Sequence, residues 1–162
     1  MNEIIYSEIQ TENRNEIRKF IKSHWGSEKI VTHSIVYYPA DLNGYFAKHH
    51  NKIVGLVTFT TSEEKIELIS LNSEIENKGI ATQLIKLVEE YAVKNCIKKL
   101  ALFTTNDNLN AIKFYQKRGF THTETFYNAV DECRKIKPEI PKLAENGIEI
   151  KDELRFEKFI KG

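Results

Sequence analysis

Leu68-Ile69-Ser70-Leu71-Asn72-Ser73-Glu74-Ile75-Glu76-Asn77-Lys78-Gly79-Ile80-Ala81-Thr82 is the stretch on which the fold turns. A strand runs into a polar loop, and the small residues Gly79 and Ala81 open a long helix. In that helix Ile80, Leu84, Ile85, Val88, Tyr91 and Ala92 recur at helical spacing. Unpaired N–H groups at a helix start attract anions, and small residues let a phosphate come close to the backbone. Lys78 adds a point charge and Thr82 a hydroxyl. Read by itself, the stretch suits a plain tight turn at Gly79 equally well. It is not a P-loop, because no Gly-Lys-Ser/Thr follows, and it lacks the glycines of a dinucleotide fingerprint.

Downstream, Leu100 to Thr104 reads as a short buried strand and Asn108 to Arg118 as a second amphipathic helix. Asn108, Ala111, Ile112 and Tyr115 share one face of it, with a small residue between an amide and a phenol. Lys113, Gln116 and Lys117 fall elsewhere, toward solvent. Gly119 is suited to close the helix in a left-handed conformation, with Phe120 packing back over the last turn. Taken alone, Phe114 and Tyr115 also suit an ordinary core and Asn108 an N-cap. Phe120 to Tyr127 returns to strand, and Val130 to Ile136 makes one or two helical turns. Pro138, Pro141 and Asn146-Gly147 mark an irregular excursion. Asp152 to Ile160 is a closing strand with Leu154 and Phe156 facing inward and Phe159 a further candidate.

Upstream, Glu3 to Glu8 reads as a first strand, and Thr11-Glu12-Asn13-Arg14 leads into a helix with Ile17, Phe20 and Ile21 on its apolar stripe. Gly26 breaks it after Trp25. Ile30 to Tyr38 is β-like, followed by a loop from Pro39 to Gly44. Tyr45 to His49 and Ile53 to Thr61 form a hairpin about His50-Asn51-Lys52. Ser62-Glu63-Glu64 turns the chain into the strand from Lys65 to Ser73. Hairpin-connected strands come first and strand–helix–strand units follow, which predicts a mixed sheet with helices on it.

The 162 residues suit a single domain over 1–162, and 41% hydrophobic with 29% charged residues is an ordinary globular balance. With 24 Lys+Arg against 23 Asp+Glu, the formal charge of +1 gives no long-range pull toward nucleic acid or anionic lipid. Met1 to Tyr6 shows no leader pattern and no apolar run is long enough to span a bilayer, so a cytoplasmic protein is expected. Cys96 and Cys133 match no metal-ligand spacing and no disulfide framework, so neither a metal nor a bridge is expected.

Together the two helical stretches resemble the GNAT acetyltransferase superfamily. Its Gln/Arg-x-x-Gly-x-Gly/Ala turn is matched by Glu76-Asn77-Lys78-Gly79-Ile80-Ala81, with Glu76 departing from the pattern. Its Asn-x-x-Ala-x-x-x-Tyr-x-x-x-Gly-Phe pattern is matched in full by Asn108, Ala111, Tyr115, Gly119 and Phe120. The resemblance covers Gly44 to Tyr127 well and the two ends less well. It implies a three-layer α+β fold: a mostly antiparallel twisted sheet of about seven strands, splayed between its fourth and fifth, with helices on both faces. Acetyl-CoA as co-substrate would lie in the gap. The backbone of Leu71 and Ser73 would pair with the pantetheine arm, and the N–H groups of Asn77, Lys78, Gly79, Ile80, Ala81 and Thr82 would hold the pyrophosphate. Asn108 and Ala111 would steady the cofactor, Tyr115 would point at its sulfur, and Glu76 would face solvent.

The implied reaction is attack by a neutral amine on the thioester. Tyr115 is the expected acid and the Leu71 N–H the oxyanion donor. Glu67 is the expected base. It is charged in an apolar strand and shares a face with Leu71 by period-two counting. The same residue also suits an exposed position on the solvent side, and His33 is a second, weaker choice. Trp25, Tyr37 and Tyr38 are candidates for an acceptor pocket, and an aromatic core explains them as well. The expected acceptor is a small-molecule or peptide amine. Two rival readings are a non-catalytic acetyl-CoA-binding module and an acetyltransferase acting on aminoacyl-tRNA, which would need a basic groove. The C-terminal strands offer an edge through which a homodimer can form.

Overall fold

The computed structural model describes residues 3–161; Met1 and Asn2, which open the stretch read for a leader, and Gly162 lie outside. Its main sheet has the order β1-β4-β5-β6-β7-β9-β8. The members are β1 (Ile5–Glu8), β4 (Asn43–His49), β5 (Lys52–Thr61), β6 (Ile66–Ser73), β7 (Lys99–Thr105), β8 (Thr121–Phe126) and β9 (Glu153–Phe159). All neighbours run antiparallel except β6 and β7, the fourth and fifth strands of this sheet, which are parallel. That is the expected α+β architecture.

The helices are α1 (Arg14–Trp25), α2 (Ile80–Lys94), α3 (Leu109–Lys117) and α4 (Ala129–Ile136). Side chains alternate across β5 and so build two cores. Val57 and Phe59 join Ile80, Leu84 and Val88 of α2 on one face. Leu56 joins Ile17, Phe20 and Ile21 of α1 on the other. Phe120 belongs to the first core and Tyr115 borders it, so α3 lies on the α2 side. Gly55 lets α2 sit close to the sheet, since a Cβ there would come within 2.6 Å of Ile80 Cγ2.

Three local expectations are corrected. Ile30 to Tyr38 is not one strand but two, β2 (Ile30–Thr32) and β3 (Ile35–Tyr37), paired in a separate small sheet. Their tight turn holds His33 and Ser34 at φ 50° and 59°, a two-residue hairpin without glycine. The strand expected to begin at Tyr45 already begins at Asn43. Phe159 does not face inward: it is 74% exposed, out of step with the buried Phe156.

Candidate active site

β6 and β7 pair only over Ile66–Leu68 and Leu100–Leu102. Beyond that, the rest of β6 to Ser73 and of β7 to Thr105 have separated. A bulge accompanies the parting. Thr58 on β5 lies opposite Ser70 while Phe59 lies opposite Leu68, so Ile69 is the extra residue. It shifts the side-chain count by one. Leu71 therefore joins Ile66 and Leu68 against the α2-side core, whereas Ser70 turns to the α1 side and bonds the buried Thr58 hydroxyl at 2.6 Å. Glu67 and Leu71 thus sit on opposite faces. Counting by two fails here because the strand is not regular.

The bulged strand presents free donors to the gap. The Glu74 N–H donates to Val54 O on β5 at 2.8 Å. Successive N–H groups point to opposite edges of a strand, so those of Ser73 and Leu71 turn away from β5, toward the opening. The chain then bends through Asn77 and Gly79, both left-handed at φ 60° and 66°, a curl that gathers backbone N–H groups. α2 starts without a side-chain cap and without an acidic residue in its first turn. Its first N–H groups, at Ile80, Ala81 and Thr82, are the ones a helix leaves unpaired. Glu76, Asn77 and Lys78 are exposed, so Glu76 faces solvent as expected. This donor set fits a phosphate group.

α3 brings the second motif to the same place. The Asn108 Oδ1 accepts the Ala111 N–H at 3.4 Å and caps the helix. Tyr115 packs edge-on against Phe114 and Phe120, with centroids 5.4 Å away in each case. Leu71, Ile112 and Tyr115 border the core cluster that contains Ile80. Burial pushes the Tyr115 phenol well above its ordinary value. Among the described residues it has no side-chain hydrogen-bond partner. The helices that carry the two motifs meet where Arg118 Nε donates to Thr82 Oγ1 at 2.8 Å.

On the α1 side two cavities flank the parted strands. One, of about 440 Å³, is lined by residues including His33, Tyr37, Thr60, Glu67, Phe103 and Arg155. Glu67 lies there 3.4 Å from Lys65 and 4.0 Å from Arg155. Burial, and then the Glu67 charge, raise the Tyr37 phenol. The second, of about 260 Å³, is lined by residues including Trp25, Thr105, Cys133, Lys137 and Glu153. Tyr38 is 52% exposed and lines neither.

Sequence reasoning missed Arg155 and Glu153. Glu153 is buried and accepts the His33 N–H at 2.8 Å and the Thr32 hydroxyl at 3.3 Å, so it anchors the small hairpin. Their signal was available as charges in a closing strand, but nothing local says which face such a strand buries.

Comparison with known proteins identifies the family and the fold. Residues 5–120 match the acetyltransferase (GNAT) family. The uncharacterized protein YxbD of Bacillus subtilis (strain 168) is 48% identical over 139 residues, 85% of this chain and 87% of that protein. The uncharacterized protein YdhI of the same organism is 45% identical over 152 residues, 90% and 95% of the two. A GNAT family acetyltransferase from Elizabethkingia anophelis with acetyl-CoA bound superposes with a TM-score of 0.67 at 22% identity, covering 99% of this chain and 100% of that one. Naa50 of Arabidopsis thaliana, in complex with a bisubstrate analogue, gives 0.70 at 19% identity, covering 96% and 97%. At such identities these structures show the fold. The family match, spanning both motifs up to Phe120, shows the rest: this chain belongs to the acetyltransferase (GNAT) family and is an acetyl-CoA-dependent N-acetyltransferase.

Proposed function

We propose that the enzyme moves the acetyl group from acetyl-CoA to a primary amine of a small molecule or peptide, by direct attack in a ternary complex. The observation that carries this reading is the opening of β6 from β7 beyond Leu68, with an uncapped helix start at its end and the Tyr115 phenol beside it. In this reading the Leu71 and Ser73 backbone pairs with the pantetheine arm. The N–H groups from Asn77 to Thr82, through Lys78, Gly79, Ile80 and Ala81, take the pyrophosphate. Asn108 and Ala111 bound the cofactor from α3. Two free thiols, exposed Cys96 and buried Cys133, fit the cytoplasmic setting that belongs to the same proposal.

The amine must lose a proton before it attacks. Glu67 receives that proton through a water from its cavity on the α1 side. The amine nitrogen then bonds to the thioester carbon, and the Leu71 N–H steadies the oxyanion in the gap. Collapse breaks the carbon–sulfur bond, Tyr115 donates its proton to the leaving thiolate, and the extra proton on the new amide nitrogen passes through solvent to restore the phenol. A raised phenol remains protonated at neutral pH, which suits it to the acid role.

The test is thiol release from acetyl-CoA across a panel of amino acids, polyamines, aminoglycosides and peptide N-termini, with acetyl-CoA binding followed by calorimetry. Uptake of acetyl-CoA with release stimulated by one amine class is expected. Uptake without stimulated release by any amine would reject the acceptor class.

A further inference from the structure

The family pattern places Gln or Arg where this chain has Glu76, leaving the phosphate turn without its side-chain partner and with an unfavourable charge nearby. We infer that Arg118, thirty-six residues beyond Thr82, replaces it as a side-chain ligand of the cofactor's phosphate groups. The inference rests on the cofactor reading above.

Arg118 closes α3, yet its guanidinium lies over the start of α2. Nε donates to Thr82 Oγ1 at 2.8 Å, and Nη1 donates to Phe114 O at 3.0 Å. The guanidinium carbon stacks 3.6 Å from the Phe114 ring centroid. Two hydrogen bonds and a stacking face therefore fix the group before any ligand arrives. Arg18, Arg134 and Arg155 each meet a carboxylate. Among the described residues Arg118 meets none within ion-pair distance, and of its five N–H donors three remain without an acceptor.

Thr82 is in the first turn of α2, where Ile80, Ala81 and Thr82 leave their N–H groups unpaired. A group bonded to the Thr82 hydroxyl thus stands beside those amides, and its charge adds to the positive end of the helix dipole. Planar, permanently charged and held in place, guanidinium is suited to phosphate oxygens. A role limited to bracing α3 against α2 would leave unexplained why three donors and an uncompensated charge point away from protein partners.

The experiment compares wild type with Arg118→Ala, Arg118→Gln and Arg118→Lys, using CoA for binding and acetyl-CoA or S-acetylpantetheine as donor. S-acetylpantetheine keeps the thioester and lacks every phosphate. Arg118→Ala and Arg118→Gln are expected to weaken CoA binding by about 10- to 100-fold, the range of charge-assisted hydrogen bonds. They should lower kcat/KM for acetyl-CoA to match while leaving S-acetylpantetheine turnover unchanged. Arg118→Lys should fall between. Equal losses on both donors would assign Arg118 a structural role and overturn the proposal, as would unchanged CoA binding in folded Arg118→Gln. Wild-type protein that takes up no CoA would remove the cofactor reading and the proposal together.

Discussion

The indole N–H of Trp25 donates to Asn72 Oδ1 at 3.0 Å, tying the end of α1 to the stretch of β6 that has left β7. Trp25 also lines the smaller cavity on that side. It is the one tryptophan of the sequence, so its fluorescence should change when acetyl-CoA fills the gap. Trp25→Phe keeps a smaller aromatic ring and loses the bond. It should raise the amine KM by about fivefold, the worth of one neutral hydrogen bond, with little change in acetyl-CoA affinity by calorimetry.

Tyr115→Phe removes the expected acid while retaining the ring that packs against Phe120. A fall in kcat of about 10²- to 10⁴-fold is expected, with acetyl-CoA affinity nearly unchanged. Because burial raises the phenol, wild-type kcat should show no alkaline decline from this group until pH exceeds the ordinary tyrosine range. Steady-state rates in both proteins across alkaline pH check both statements.

The Thr58–Ser70 hydroxyl pair is buried beside the bulge. Thr58→Val alone leaves the Ser70 hydroxyl unpaired and should destabilise the protein by about 1–3 kcal/mol. Thr58→Val with Ser70→Ala removes both polar groups and should recover much of that loss. Urea unfolding of the two variants measures the difference.

Gly55 has no room for a methyl group: its Cβ would fall 2.6 Å from Ile80 Cγ2 and 3.3 Å from Leu84 Cδ1. Gly55→Ala should push the first turn of α2 off the sheet at a loss of about 1–3 kcal/mol. CoA binding should weaken as well, because Ile80 opens α2 at the proposed phosphate turn. Thermal melts and calorimetry on one preparation separate the two effects.

Glu157 supplies an acid-side test. Burial by itself would raise its carboxyl, but the Lys99 hydrogen bond at 2.9 Å and the charges of Lys99 and Arg155 outweigh it and leave it lowered. A carboxylate lowered by folding stabilises the fold above its unfolded value, and that contribution is lost as pH falls through the folded value. The stability gap between wild type and Glu157→Gln should therefore be full near neutrality and shrink in acid. Urea titrations at a series of pH values follow it.

Much of this arrangement was legible in residue order. The switch from strand to helix at Gly79 and the spacing from Asn108 to Phe120 marked the elements that flank the gap. What escaped was set at a distance. The bulge at Ile69 depends on how β6 pairs with β5, so Glu67 and Leu71 looked co-facial when they are not. Glu153 and Arg155 line the α1-side cavities because β9 inserts beside β7, a pairing between residues some fifty positions apart in sequence. In the sequence Arg118 is only the last residue of the second helix, and its bond to Thr82 depends on α3 lying against the start of α2.

That insertion of β9 between β7 and β8 also orders events on the ribosome. Every residue from β6 through α3 leaves the exit tunnel before any residue of β9. Until then β7 has one unpaired edge and β8 has no neighbour in the sheet, the kind of open edges that invite pairing with another chain. A stalled or prematurely ended nascent chain would thus hold β6 through α3 complete while exposing an adhesive border.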